Sequence, residues 1–236
     1  MVNFMPSFYN LSGSQVRYSD DVSTLLGLKR ISERRLFFYG VVMGLDEYAE
    51  TVPDAAHLAI TDVTRIILEI NAEDDRAEKA FLEENPGGKF ERKPILLFID
   101  SQGGDSGEGF ALVDVIELSK TPIWTINLGE WSSMGFLIGI TGHRRFSLSR
   151  ATFLWHDGGT GFVGSTGKVQ DAADFNKLYE NEVVKKHVLA HSDPEKFTEA
   201  FYDANVRKEF YMLPEQALSF GFIDEILTDL SVLSTS

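Results

Sequence analysis

A continuous apolar run of strand length, residues 94–100, and a second strand-like segment, residues 123–128, flank a glycine-rich turn and one segment of helical apolar spacing. A strand with one wet face alternates polar and apolar side chains, so a continuous run marks a strand covered on both faces. Strand, helix, strand in that order favours neighbouring parallel strands with helices packed against the sheet. The chain is therefore expected to be an α/β protein with a buried parallel sheet.

The remaining elements follow the same alternation. Residues 35–42, Arg-Leu-Phe-Phe-Tyr-Gly-Val-Val, are rich in aromatic and β-branched residues and read as an earlier strand. Residues 57–84 carry Leu58, Val63, Ile66, Ile67 and Ile70 at helical spacing and stop at Asn85-Pro86-Gly87-Gly88, with His57 at the helix start. The acidic clusters Glu73-Asp74-Asp75 and Glu83-Glu84 are read as the wet side of that helix. Phe110, Leu112, Val113, Ile116 and Leu118 predict the helix between the two buried strands. Residues 134–141 predict a short, wholly buried one, followed by strands near 145–147 and 152–155. Five of the ten residues 158–167 are glycine, which predicts an extended arm. A long amphipathic helix over 169–191 follows, with Ala173, Leu178, Val183 and Val188 near one face. A short helix from Pro214, a last strand over 222–227 and a loose end over 231–236 complete the reading.

A length of 236 residues suits one domain, taken as 31–230, and 43% hydrophobic with 25% charged residues is the composition of a globular chain. No apolar stretch approaches a membrane span, and the first residues lack a basic leader and cleavage site, so a cytoplasmic setting is the expectation. The absence of cysteine excludes thiol nucleophiles, disulfides and thiolate metal sites. A net charge of -14 opposes binding to a phosphate backbone, so nucleic acid is not an expected partner.

Chemistry concentrates in three places. Ser133 stands in Trp131-Ser132-Ser133-Met134-Gly135, at the mouth of the buried helix. Ser101-Gln102-Gly103-Gly104 closes the first buried strand, and His156 closes the strand over 152–155. A serine hydroxyl is a poor nucleophile unless an imidazole within reach takes its proton, and backbone amides at a glycine turn can hold the oxyanion that forms.

These motifs, in this order, resemble the proteolytic subunit of the Clp protease. The resemblance runs from about Glu33 to Leu227 and includes Glu33-Arg34-Arg35-Leu36-Phe37-Phe38-Tyr39-Gly40 and the closing Phe220-Gly221-Phe222-Ile223-Asp224. It implies a crotonase-like α/β fold with a protruding handle, about 158–192, made of the long helix and a glycine-rich strand. It also implies a serine endopeptidase assembled as two stacked heptameric rings. Such an assembly degrades unfolded polypeptide supplied by a separate ring-shaped AAA+ ATPase unfoldase, and the chain has no ATP-binding motif of its own. Residues 1–30 would contribute to the axial entrance. Carried over by position, Ser133 matches the nucleophile, His156 the general base, and the N–H groups of Gly103 and Met134 the oxyanion hole. No metal or cofactor is implied.

Three departures bear on activity. The third triad position falls on Glu209 rather than an aspartate, with Asp203 and Asp157 as rival acids. Gln102 replaces a proline in the glycine turn, and the spacings on either side of His156 differ from the family's. These motivate a second expectation, a catalytically silent ring subunit. A remoter one is a crotonase-fold enzyme acting on acyl-CoA, which has no use for a Ser133 and His156 pair.

Other motifs carry less. Residues 161–169 mimic a phosphate loop, but the first glycine is misplaced and Val169 replaces the required hydroxyl. His143 falls on a turn and reads as a surface residue. His187 and His191 stand four apart on a helix, yet no glutamate follows His187 and the sequence offers no third ligand beside them, so a zinc site is not expected.

Overall fold

The computed structural model describes residues 33–43 and 60–234, together with an antiparallel pair of two-residue strands, β1 (Phe8–Tyr9) and β2 (Gln15–Val16). The rest of residues 1–30, expected to contribute to an axial entrance, and residues 57–59 with the expected helix start at His57 lie outside the described residues.

Both segments become neighbouring parallel strands, β4 (Ile95–Gly104) and β5 (Ile123–Ser132), and β3 (Arg35–Val42) lies parallel on the far side of β4. Strand β5 has two partners. Its first half pairs in parallel with β6 (Arg144–Ser147), and its last residues pair in parallel with β7 (Thr152–Trp155). Strand β8 (Phe210–Met212) returns antiparallel to β7, and β9 (Glu225–Ile226) lies parallel to β6. The sheet therefore divides along β5, and the carboxyl ends of β4, β5 and β7 meet at the division.

Period two sorts β4 between two cores. Ile95, Leu97 and Ile99 face helices α1 (Ile60–Glu84), α2 (Ser106–Leu118) and α3 (Met134–Ile140), while Leu96 joins Ile126, Phe146, Leu227 and Leu233 on the other side. Every residue of α3 is buried, and it passes so close to β5 that a side-chain carbon on Gly139 would stand 2.3 Å from the Trp131 ring. Trp155, with Phe197, Tyr202 and Phe210 around it at ring separations of 4.7 to 6.0 Å, fixes β7 and β8 against α6 (Glu199–Asn205).

The long helix forms in three parts: α4 (Thr166–Tyr179), a π-helical turn at Glu180–Val184, and α5 (Lys185–Ala190). The extra residue of a π-turn shifts the phase of the apolar stripe. Val184, His187 and Val188 meet the core, whereas α4 buries no residue and leaves Ala173, Phe175 and Leu178 exposed. Its expected single apolar face is thus split, because α4 projects beyond the sheet. The glycine-rich segment before it pairs with none of the described strands.

Two further expectations change. Asp74 is buried, not wet: Arg34 donates to it at 2.9 Å and the Thr121 hydroxyl at 2.6 Å, tying α1 to β3 and to the approach to β5. At the carboxyl end, helix α7 (Pro214–Ser219) leads to β9, shorter than the predicted 222–227, and Ser231–Leu233 form a 3-10 turn that seats Leu233 in the second core. Among the described residues no helix is long and apolar enough to cross a membrane.

Candidate active site

Strand register assembles the site. Ser101 of β4 pairs with Trp131 of β5, so two residues further on Gly103 meets Ser133. Ser132 pairs with Leu154 of β7, and the Ser133 N–H donates to the Leu154 carbonyl at 2.9 Å. Trp155 opposes Phe210 across the antiparallel β7–β8 pair, which makes His156 and Glu209 the next cross-strand couple. Glycine, serine, histidine and glutamate are thereby brought from four strand ends to one place.

Ser133 joins β5 to α3 through a sharp turn with φ 54° and ψ -123°, a region that side-chain-bearing residues rarely occupy. Such a conformation costs on the order of 1–3 kcal/mol and persists because its surroundings over-determine it. Here the Leu154 carbonyl holds the N–H while the Ser133 carbonyl accepts from Phe136 at 3.0 Å and Leu137 at 3.2 Å. The hydroxyl does not cap α3; Ser133 instead lines a pocket of about 150 Å³.

Gly103, at φ 94°, packs against that turn. A Cβ there would lie 2.6 Å from the Ser133 Cβ, 2.8 Å from the Ser132 oxygen and 2.9 Å from the Met134 nitrogen, so only glycine fits. Its N–H donates to the Ser101 hydroxyl at 3.2 Å, and it is Gly104 that lines the pocket. Met134 also lines the pocket. As the first residue of α3 it carries one of the amides that no preceding helical turn can accept.

His156 lines the same pocket, and its Nδ1 lies 2.9 Å from Glu209 Oε1. Bonded to a carboxylate, Nδ1 carries the hydrogen, which in the neutral ring leaves Nε2 as a lone pair. That Nε2 is buried and has no hydrogen-bond partner, so the serine and the imidazole share the pocket without being bonded to each other. Of the rival acids, Asp203 is engaged by Lys185 at 2.7 Å, and Asp157 lines the pocket but makes no hydrogen bond to the ring.

Among the pocket residues that sequence reading missed are Asn176 and Tyr179 at the end of α4 and Glu180 at the start of the π-turn, which lean over the site. Burial pushes the Glu180 carboxyl above its ordinary range; the charge of Asp157 adds to this and His156 opposes it. No local motif marks these residues, since only the path of the helix brings them to the strand ends. His143 is exposed on its turn, where its Nδ1 accepts from the Ile123 N–H at 3.0 Å. His187 and His191 lie away from this pocket, beside Glu117 of α2.

A family model described as Clp protease matches residues 60–229. The chain is similar to the ATP-dependent Clp protease proteolytic subunit of Streptococcus gordonii, 31% identical over 141 residues, covering 58% of this chain and 70% of that protein. It is also 31% identical over 144 residues to the subunit of the same description in Streptococcus suis, covering 59% and 71%. Among solved structures, a ClpP1 mutant from Listeria monocytogenes superposes with a TM-score of 0.62 at 20% identity, covering 89% of this chain and 99% of that one, a likeness of fold.

Proposed function

The chain belongs to the Clp protease family, and from that premise we propose that it is a serine endopeptidase with Ser133 as nucleophile, His156 as general base and Glu209 as the orienting acid. The observation that carries this reading is the β7–β8 register, which sets a 2.9 Å bond between Glu209 and His156, the ring that shares a pocket with Ser133.

The reaction is acyl transfer to the serine. Ser133 Oγ attacks the peptide carbonyl carbon while its proton passes to His156 Nε2, the lone pair left free by the Nδ1 bond to Glu209. Charge that develops on the carbonyl oxygen is met by the Met134 N–H and by the Gly103 N–H once it turns from the Ser101 hydroxyl. The carbon–nitrogen bond then breaks, and the departing amine takes the proton from Nε2. Water, giving a proton to the same nitrogen, attacks the ester, and Ser133 recovers its hydrogen as the acid leaves. Nε2 and the hydroxyl close to bonding distance when substrate fills the pocket, as catalytic hydrogen bonds commonly tighten on binding.

The substrate is unfolded polypeptide, delivered by a separate ATP-dependent unfoldase of the AAA+ class, and the working form is a homo-oligomer of stacked heptameric rings. Support comes from membership of the family and from Phe175 and Leu178, more than half exposed on α4 in the single chain. Hydrolysis of a dye-labelled unfolded protein by the wild type, abolished in Ser133→Ala and in His156→Ala, is the expected result. Equal hydrolysis by all three proteins would refute it. The unpartnered His156 Nε2 favours a second reading, a silent ring subunit, which requires that the wild type alone hydrolyse nothing.

A further inference from the structure

Glu117 of α2 projects toward two histidines on the last turns of the long helix, His187 and His191. One ligating atom from each of the three residues lies within 4.8 Å of the others. His187 Nδ1 is 3.5 Å and His191 Nε2 is 3.7 Å from the same carboxylate oxygen, Glu117 Oε1.

Hydrogen bonds settle which ring nitrogens carry hydrogen. His187 Nε2 lies 3.1 Å from the Leu137 carbonyl and 3.2 Å from the Thr141 hydroxyl, whose own hydrogen is given to that same carbonyl at 2.8 Å. Both neighbours therefore accept, and Nε2 must donate. His191 Nδ1 lies 2.9 Å from the His187 carbonyl, so it too must donate. In the neutral rings His187 Nδ1 and His191 Nε2 are then lone pairs, and both face a carboxylate oxygen. With both rings neutral, three electron-pair donors converge on one place.

These separations are longer than the roughly 2.7–2.9 Å of well-formed charge-assisted N–H···O bonds, so an ion pair here is a loose one. A metal ion fits the arrangement more closely. With zinc–ligand bonds of about 2.0–2.1 Å in a tetrahedron, neighbouring ligand atoms stand roughly 3.3–3.4 Å apart, within a few tenths of an ångström of the two Glu117–imidazole separations. Each histidine also anchors its second nitrogen on a backbone carbonyl, the outer-shell contact that fixes ring orientation in metal sites.

We propose that Glu117, His187 and His191 bind a divalent cation of the zinc class, with the fourth position open to water on the exposed Glu117 side. Two imidazoles and one carboxylate suit Zn²⁺ and its late first-row neighbours and not the oxygen-seeking Mg²⁺ or Ca²⁺. The ion staples the base of the long helix to α2. Through the Leu137 carbonyl it also braces α3, the helix that begins at Ser133.

The test uses the untagged full chain, stripped with chelator and titrated with Zn²⁺ against a chromogenic competitor, with Co²⁺ as a spectroscopic substitute. Expected are one Zn²⁺ per chain and a rise in Tm of roughly 5 °C or more at a hundredfold excess over Kd. Glu117→Gln and His191→Ala should weaken binding at least about tenfold and remove the visible Co²⁺ band while circular dichroism stays unchanged. Because His156 and Glu209 also present an imidazole and a carboxylate, His156→Ala is run in parallel and should bind as the wild type does. No binding by the wild type at about 100 µM Zn²⁺ would overturn the site, a Kd far weaker than a three-ligand cage implies. Binding lost in His156→Ala and retained in Glu117→Gln would overturn it equally.

Discussion

Replacing Gly103 by alanine probes the contact on which the site's geometry rests. The added methyl carbon would stand 2.6 Å from the Ser133 Cβ and under 3 Å from two backbone atoms, none of them the far end of a flexible side chain. Relief to ordinary contact near 3.5 Å requires the two turns to part by about 1 Å. A displacement of that size at a reacting centre costs roughly 10²-fold in rate, equivalent to about 2.7 kcal/mol of barrier. Alanine at φ 94° adds backbone strain of about 1–2 kcal/mol, so Tm should fall by roughly 2–8 °C for a chain of this size. The assay is kcat/KM on a fluorogenic peptide, taken beside thermal unfolding. A Gly103→Ala protein that unfolds a few degrees early yet retains wild-type kcat/KM would show that the Gly103 to Ser133 approach is not part of the active geometry.

Other expectations follow from single contacts. Glu209→Gln should lower kcat by roughly 10²–10⁴ while peptide KM holds, because the amide disrupts the tautomer that leaves Nε2 free; an unchanged kcat would pass the acid's role to Asp157 or another group. Asp74→Ala leaves the Arg34 guanidinium without its carboxylate and should destabilise by about 3 kcal/mol, seen as a Tm lower by roughly 6–12 °C. Burial pushes the Asp74 carboxyl up, but hydrogen bonds from Arg34 and Thr121 and the charges of Arg34 and Arg92 outweigh it, holding the group below its ordinary 3.8. A depressed carboxyl contributes stability above its unfolded value and loses it as pH falls through the folded one. The Tm gap between wild type and Asp74→Ala should therefore stay constant from neutral pH to about pH 5 and narrow only below about pH 4. Gly139→Ala forces a methyl into the Trp131 ring and should cost about 1–3 kcal/mol, checked by urea unfolding.

Elements whose physics is local were legible in the sequence. The two buried runs could only be covered strands, and the boundaries of β3 and α2 follow from alternation, glycine and proline. The placement of Ser133, Gly103 and His156 at strand ends was legible for a related reason, since a strand end is written in neighbouring residues. The bond of Glu209 to His156 was harder to foresee, because it depends on the antiparallel pairing of β8 with β7 and spans 53 residues. Asp74 was misread since two acidic neighbours mask its burial, and its partners Arg34 and Thr121 are 40 and 47 residues away. The long helix misled because one π-turn shifts its stripe while periodicity assumes a constant phase. Glu117 stands 70 or more residues before the two histidines it faces, so no spacing rule could have joined them.

The most direct test of the proposed serine chemistry is covalent. The wild-type chain is incubated with a fluorophosphonate and the modified peptide is identified by mass spectrometry. The predicted result is one adduct per chain on Ser133, lost in Ser133→Ala and formed much more slowly in His156→Ala. An adduct on Ser132 or elsewhere, or an adduct on Ser133 formed equally fast without His156, would contradict it.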